Sequence, residues 1–151
     1  MDKNQRYMHE ALIEARKAYS LGEVPVGAVV VFNNEIIARA HNLVESNKNA
    51  CAHAEVLAIK KASAHVGDWR LKECTLYVTL EPCPMCAGAI MLSRINSVYF
   101  GAKDERIGAL GSTFDLSNLG GMPHKFQSIG GLLGQECALL LKDFFADRRK
   151  A

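Results

Sequence analysis

One histidine and a pair of cysteines are the residues whose types and spacing point most directly to chemistry. Cys83 and Cys86 form a Cys-x-x-Cys pair, and His53 lies upstream of both. One imidazole and two thiolates make a three-ligand zinc set that leaves the fourth tetrahedral position to water, as in catalytic rather than structural zinc sites. We therefore predict one Zn²⁺ per subunit, held by His53, Cys83 and Cys86.

Glu55, two residues beyond His53, favours catalysis over a structural role. On a regular helix this spacing turns its side chain away from the direction of the histidine ring, so we do not expect it to be a ligand. Zinc lowers the pKa of a bound water from 15.7 to about 7, and a neighbouring carboxylate can take up that proton and deliver it elsewhere. We predict that Glu55 is the catalytic general acid and base.

Spacing alone leaves other interpretations open. An isolated Cys-x-x-Cys pair also occurs in structural zinc sites and in redox pairs. A fourth protein ligand would close the site, and six other side chains are candidates for it: Cys51, Cys74, Cys137, His41, His65 and His124. The combination of His-x-Glu at one predicted helix start with Pro-Cys-x-x-Cys at another favours the catalytic site.

The hydrophobic pattern predicts the elements that must position these residues. Helical spacing predicts helices, and apolar runs bounded by turn residues predict strands. The hairpin at the start, followed by alternating helix and strand, predicts an α/β fold: a three-layer α/β/α sandwich around a central mixed five-stranded sheet. The predicted helices are 2–20, 53–64, 85–92 and 135–149; the strands are 26–32, 35–40, 75–80, 97–102 and 126–129; segments 42–49 and 108–121 are predicted loops.

The helix starts explain how the ligands meet. Pro84 disfavours a helical backbone at Cys83 and itself suits the first helical position, so Cys83 becomes the cap residue and Cys86 follows in the first turn. The positive end of the helix dipole favours thiolates there. Because His53 begins its own helix, two helix starts that follow neighbouring strands are expected to meet over one ion.

Length and composition define the class of protein. The chain has 151 residues, a formal charge of +2 and a 49% hydrophobic content, which suits one globular domain over residues 1–151 and excludes fibrous and disordered classes. We expect no membrane segment, since the longest apolar run is too short and is interrupted by Pro25 and Gly27. Five cysteines are an odd number for a disulfide framework, and no secretion signal is visible, so we expect a cytoplasmic protein.

The motifs resemble a known family. His53-Ala54-Glu55 together with Pro82-Cys83-Pro84-Met85-Cys86 resembles the signature of the cytidine deaminase-like superfamily, in which the roles of the glutamate and the zinc are well described. A narrower resemblance, to the bacterial tRNA-specific adenosine deaminases, runs nearly end to end. It covers the segments 23–29, 52–55, 75–83, 86–90, 93–95, 100–104 and 108–112, and the C-terminal residues 143–149.

This resemblance implies an activity and a set of contacts. The implied reaction converts adenosine to inosine at the wobble position (34) of a tRNA anticodon, in an arginine tRNA, by a homodimer that binds the anticodon stem-loop. The implied contacts are to the target base and to the RNA backbone. Asn42 hydrogen-bonds the base, Ala54 lies against it, Val26 and Leu80 line the pocket, and Asp104 lies where the RNA backbone passes.

The C-terminal helix has two interpretations. Its apolar residues predict an inward face formed by Cys137, Leu140, Leu141, Phe144 and Phe145. Adjacent aromatic residues beside a basic tail are also typical of surfaces that meet splayed bases and phosphates, which makes Phe145 and Arg148 candidate RNA contacts. Glu81 and Ser93 are further candidates for orienting groups near the zinc.

Two rival functions fit parts of the same pattern. The first is deamination of guanine or another free nucleobase or nucleoside by the same zinc chemistry, which the Cys-Pro-Met-Cys stretch alone would suit. The second is a non-catalytic, zinc-stabilised RNA-binding module. The Lys103-Asp104 segment and the basic C-terminal helix favour a substrate larger than a free base, and Glu55 argues against a purely structural zinc.

Overall fold

The chain folds around one five-stranded sheet; the structure, a computed structural model, describes residues 1–150. Strands β1 (Gly27–Phe32) and β2 (Glu35–His41) form an antiparallel hairpin, and β1 also pairs antiparallel with β3 (Thr75–Leu80). β3 pairs in parallel with β4 (Ser97–Ala102), which pairs in parallel with β5 (Gln127–Ile129). The strand order is β2-β1-β3-β4-β5, so the sheet is mixed, as predicted.

Helices cover both faces of this sheet. On one face lie α1 (Lys3–Ser20) and α5 (Gly134–Lys150), and on the other lie α3 (Ala54–Val66) and α4 (Pro84–Leu92). A further short helix, α2 (Val44–Asn47), follows β2. The predicted three-layer α/β/α sandwich is confirmed. None of the helices within residues 1–150 is both long enough and apolar enough to cross a membrane.

The valine run of β1 explains why both faces are covered. Val29 and Val31 point toward α1, while Ala28 and Val30 point toward α3, and all four side chains are buried. A strand that is apolar on both sides must lie between two layers. At the end of β1, Asn33 and Asn34 adopt positive φ angles of 51° and 62°, as a two-residue hairpin turn requires.

Two expectations about local structure are corrected. The segment 42–49, predicted as a loop, contains α2, whose cap residue Leu43 makes no side-chain cap hydrogen bond. Its first backbone N–H groups are instead bound by the carboxylate of Glu23, a contact across the fold that sequence pattern does not reveal. The two helix starts that carry the predicted ligands were also expected to follow neighbouring strands. They follow β2 and β3, which are not neighbours, because β1 lies between them.

Candidate metal centre and substrate pocket

The predicted metal ligands lie at two helix starts. His53 is the cap residue of α3 and Cys83 is the cap residue of α4, both in extended backbone, with Pro84 in the first helical position. Neither cap side chain bonds to its own helix, so the imidazole and the thiol are free to face each other. Cys86 lies in the first turn of α4 and is fully buried.

The distances among the three ligand atoms suit zinc. His53 Nδ1 is 3.6 Å from Cys83 Sγ and 3.5 Å from Cys86 Sγ, and all three atoms lie within 4.8 Å of one another. Tetrahedral zinc with Zn–N of about 2.0 Å and Zn–S of about 2.3 Å places its nitrogen and sulfur ligands about 3.6 Å apart. The donor set and its spacing therefore fit a single zinc ion.

The protonation of the cysteine pair is consistent with a cation site. Hydrogen bonding from Cys86 and from His53 lowers the pKa of the Cys83 thiol to about 4. The same contact with Cys83, together with burial, raises the pKa of Cys86. Metal binding requires both thiols to be deprotonated, so zinc would displace the protons that they carry without it.

None of the six alternative ligands joins the cluster. Within residues 1–150, the group at this position consists of His53, Cys83 and Cys86 alone. His41 instead lies 2.9 Å from a carboxylate oxygen of Glu14, and His124 Nε2 lies 2.8 Å from the carbonyl oxygen of Ile95. A three-ligand set leaves room for water or a substrate atom at the fourth position.

Glu55 lies beside the ligands on the pocket wall. It is the second residue of α3 and is only 4% exposed. Burial raises the pKa of its carboxyl group to about 7, although His53 nearby lowers it. A carboxyl group with a pKa close to neutral pH can both accept and donate a proton, which is what a general acid and base must do.

His53, Cys83 and Glu55 line one cavity of about 390 Å³. Its size lies within the range of small-molecule pockets. Every predicted substrate contact lines it, although these residues come from distant parts of the chain. The residues lining the cavity are Gly22, Glu23, Val24, Val26, Asn42, Val44, Glu45, His53, Ala54, Glu55, Leu80, Glu81, Cys83, Asp104, Arg106, Ile107, Phe144, Phe145 and Arg148.

The predicted base contacts surround the inner part of the pocket. Asn42 is 7% exposed; its Nδ2 donates to the carbonyl oxygen of Val24, and its Oδ1 accepts from the backbone N–H of Val44, both at 3.3 Å. A side-chain amide has a second N–H and a second acceptor site, so Asn42 keeps capacity for a ligand. Val26 and Ala54 are buried, and Leu80 is half-buried.

The predicted RNA contacts lie at the outer part. Asp104 Oδ1 accepts from the backbone N–H of Arg106 at 3.1 Å, so its carboxylate also organises its own turn. Arg148 donates to the carbonyl oxygen of Gly22 at 3.1 Å and lies 5.4 Å from the ring centre of Phe144. The expectation that Phe145 packs inward is wrong, since it is 40% exposed at the pocket, whereas Phe144 is buried.

Two buried glutamates in the pocket wall bind backbone N–H groups of the segments around the pocket, a role that was not predicted from the sequence. Glu23 accepts from the backbone N–H groups of Glu45 and Ser46 and from the Ser46 hydroxyl. Glu81 accepts from the backbone N–H groups of Asp104, Leu110 and Ser112 and from the Ser112 hydroxyl. A glutamate inside an apolar segment, as in Val24-Pro25-Val26 after Glu23, is the sequence signal that could have identified them.

The charge on both glutamates is retained by these bonds. Burial alone would raise the pKa of each carboxyl group, but the hydroxyl and backbone donors outweigh it and hold both pKa values below their ordinary range. Ser93, the other candidate for orienting groups near the zinc, donates instead to the carbonyl oxygens of Ala89 and Ile90 in its own helix.

Comparison with known proteins identifies relatives along the whole chain. The family model of the MafB19-like deaminases matches residues 1–148. The tRNA-specific adenosine deaminase of Bacillus subtilis (strain 168) is 50% identical over 150 residues, which is 99% of this chain and 93% of the relative. The enzyme of the same name from Streptococcus pyogenes serotype M1 is 41% identical, over 99% of this chain and 88% of the relative.

Solved structures agree with this relationship. One, from a study of A-to-I editing by tRNA:A34 deaminases at the wobble position of transfer RNA, superposes with a TM-score of 0.87 and 40% identity. It covers 89% of this chain and 98% of the other. The guanine deaminase of Nitrosomonas europaea superposes with a TM-score of 0.79 and 25% identity, covering 94% of this chain and 84% of the other.

Proposed function

The chain belongs to the tRNA-specific adenosine deaminases, and from that premise we propose that it converts adenosine to inosine at wobble position 34 of an arginine tRNA anticodon, with one Zn²⁺ per subunit. The observation that carries the proposal is the buried Glu55 beside the His53, Cys83 and Cys86 atoms, in a pocket that is open to a nucleotide. We further propose that residues 1–151 act as one deaminase domain, in the cytoplasm, as a homodimer.

The reaction exchanges an amine for an oxygen atom. Water adds to the adenine carbon that carries the amino group, and ammonia leaves, so that the base becomes hypoxanthine. Zinc held by His53, Cys83 and Cys86 would supply the acidification of water that makes this addition feasible at neutral pH. Glu55 accepts one proton as water adds and passes it to the ring nitrogen. It then accepts the remaining hydroxyl proton of the adduct and passes it to the departing amine, as the C–N bond breaks and the carbonyl group forms.

The pocket residues orient the base for this exchange. Asn42 has a free N–H and a free acceptor site for the edge of the base, while Val26, Ala54 and Leu80 offer apolar contact to its faces. The base must be flipped out of its stack to enter, and this costs least for an unpaired nucleotide in a loop. That cost favours an anticodon loop over a duplex as substrate.

The outer residues favour a polymer over a free base. Phe145 offers an exposed ring for stacking, and Arg148 offers a cation at the pocket mouth. Asp104 also lines the pocket, and the resemblance implies that the RNA backbone passes there. A free base would use none of these three side chains.

Guanine deamination is the second candidate, favoured by the superposition with the guanine deaminase of Nitrosomonas europaea. The 25% identity with that protein is half of the 50% shared with the Bacillus subtilis tRNA-specific adenosine deaminase. A non-catalytic RNA-binding module is disfavoured, because a buried carboxyl group beside the metal ligands has no structural purpose there.

The test is deamination, measured by mass spectrometry as inosine from adenosine, uridine from cytidine, and xanthosine or xanthine from the guanine substrates. The substrates are an arginine anticodon stem-loop with adenosine at position 34, the same stem-loop with guanosine at that position, free adenosine, free cytidine and free guanine. We expect inosine in the first stem-loop only, and none with the Glu55→Ala variant. Turnover of guanine without turnover of the stem-loop would replace the proposal by the second candidate.

A further inference from the structure

The carboxylate of Glu81 connects the segment before the metal ligands to a loop at the pocket mouth. Its Oε1 accepts from the backbone N–H of Asp104 at 3.1 Å. Its Oε2 accepts from the backbone N–H of Leu110 at 2.9 Å and from that of Ser112 at 3.1 Å. The Ser112 hydroxyl adds a fourth donor. All of the donors belong to one segment, residues 104–112, which we call the 104–112 loop.

Glu81 is one of several anchors of this loop. The backbone N–H of Ala109 donates to the carbonyl oxygen of Pro82 at 2.8 Å, and Ala109 and Leu110 belong to the hydrophobic core. On one side the loop borders the substrate pocket through Asp104, Arg106 and Ile107, and on the other it borders a second cavity through its residues 105 and 110–112. Of its residues, 108–110 are buried and 105–107 are exposed. The exposed part of the loop depends on a few anchoring bonds for its position, and Glu81 binds the loop at both of its ends, through the backbone N–H groups of Asp104 and Ser112.

The loop backbone at Gly108 also lies very close to the Glu81 carboxylate. A Cβ atom on Gly108 would lie 2.4 Å from Glu81 Cδ and 2.4 Å from the carbonyl oxygen of Asp104. The loop backbone therefore passes directly over the carboxyl group, and only glycine permits that approach.

Glu81 is not needed to shape the metal site itself. His53, Cys83 and Cys86 are fixed by the starts of α3 and α4. The hydrogen bonds of the Glu81 side chain run to the 104–112 loop and to none of these ligands. Although Glu81 is only two residues from Cys83 in sequence, its side chain therefore binds the loop and not the metal ligands.

We propose that Glu81 is a positioning residue for substrate binding, which fixes the 104–112 loop, and Asp104 at its start, as the part of the pocket rim that receives the RNA backbone. This inference rests on the proposed function for the identity of the substrate. The position of the loop relative to Glu81 is tested separately from that function.

The first experiment compares kinetics on an anticodon stem-loop. In Glu81→Gln, an amide N–H₂ faces backbone N–H donors, so at least one anchoring bond is lost at almost constant shape. We expect KM to rise about tenfold, with kcat and zinc content within about twofold, because the loss is in binding shared by ground and transition states. Gly108→Ala, which pushes the loop off the carboxylate without changing charge, is expected to do the same.

A matched control separates positioning from general destabilisation. Met8→Ala removes a fully buried side chain between α1 and the sheet, outside the pocket. It is expected to lower the melting temperature while KM stays unchanged. Ser112→Ala, which removes only the hydroxyl donor, is expected to raise KM by less than Glu81→Gln does.

Hydrogen–deuterium exchange gives the second readout, which needs no substrate. In Glu81→Gln the amides of Asp104, Leu110 and Ser112 are expected to exchange faster, while those at the start of α3 keep their protection. Unchanged exchange in the loop would overturn the proposal, as would a fall in kcat or in zinc content at constant KM. If the wild-type protein deaminates no stem-loop, the proposed function fails, and exchange still decides whether Glu81 fixes the loop.

Discussion

The floor and the walls of the pocket are held in place by different kinds of interaction. The floor, formed by His53, Cys83, Cys86 and Glu55, consists of cap and first-turn residues of two helices that pack on the sheet. The walls include the α2 helix and the 104–112 loop. Each wall is held by one buried carboxylate, Glu23 or Glu81, through backbone N–H groups.

This difference suggests separate roles for the floor and the walls of the pocket. Packed secondary structure holds the floor, which suits the proposed metal ligands and general acid, because these must keep fixed distances. Local anchors hold the walls, where a loop can adapt to the shape of a substrate at little cost to the core. Changes in the floor should therefore act on kcat and on metal binding, and changes in the walls should act on KM and on local stability.

Loss of a metal ligand is the largest expected effect on the floor. Cys86→Ala removes a fully buried ligand in the first turn of α4. We expect zinc content to fall well below one per chain and activity to be lost, since two remaining protein ligands bind zinc poorly. Atomic absorption measures the metal, and addition of excess zinc to chelator-treated wild type should restore turnover. Full zinc content and activity in Cys86→Ala would remove this residue from the floor.

Loss of the general acid and base is the next largest effect. Glu55→Ala and the isosteric Glu55→Gln are expected to reduce kcat by about 10²- to 10⁴-fold, the usual contribution of a positioned acid–base group. Zinc content and melting temperature should stay close to wild type, because Glu55 is not a metal ligand. Single-turnover inosine formation is the measurement. Near-normal turnover in Glu55→Gln would contradict the assigned role.

The same contrast between floor and walls explains which features of the molecule could be predicted from its sequence. His53, Cys83, Cys86 and Glu55 were predicted together because each depends on a local signal: a proline, a helix start and a short spacing. The sheet and its covering helices followed from periodicity, and the fold prediction is confirmed. Such local signals can be recognised in the sequence because they come from residues that are close together along the chain.

The anchors of the walls could not be predicted in this way. Glu23 binds Ser46 across 23 positions, and Glu81 binds Ser112 across 31. The short helix α2 was predicted as a loop for the same reason, since Glu23 binds the backbone N–H groups of its second and third residues from outside the local sequence. Likewise Phe145 has the helical spacing of a core residue, but it is exposed at the pocket, whereas the adjacent Phe144, which points in another direction from α5, is buried.

A substitution in the α2 wall is expected to have a smaller effect than either substitution in the floor. In Glu23→Gln, one of the two oxygens that accept from Glu45 and Ser46 becomes a donor, so a donor of this buried side chain faces a backbone N–H and at least one bond is lost. We expect a loss of about 1–3 kcal/mol in the free energy of unfolding, measured in urea at pH 7, and a higher KM at nearly constant kcat.

The pH dependence of that loss distinguishes a charged anchor from a packed side chain. Because its bonds hold the pKa of Glu23 below the ordinary value, the folded state binds its proton less readily than the unfolded state does. The stabilisation is thus complete above the unfolded pKa of about 4.3 and is lost as the pH falls through the lower folded value. The stability difference between wild type and Glu23→Gln should therefore shrink below about pH 4. A difference that stays constant to pH 3 would contradict the charged anchor.

The smallest expected effect concerns the pocket mouth at Arg148. Its guanidinium donates to the carbonyl oxygen of Gly22 and lies over Phe144, yet the side chain is exposed, so it contributes little to folding. Arg148→Ala is expected to raise KM for the stem-loop by about threefold to fivefold, and to reduce the slope of log affinity against log salt by about 0.7 if one phosphate contact is lost. Arg148→Lys keeps the charge but not the planar contact with Phe144, so it should restore the salt slope while recovering only part of KM. An unchanged slope in Arg148→Ala would show that the guanidinium supports the Gly22 carbonyl within the protein and does not meet the RNA.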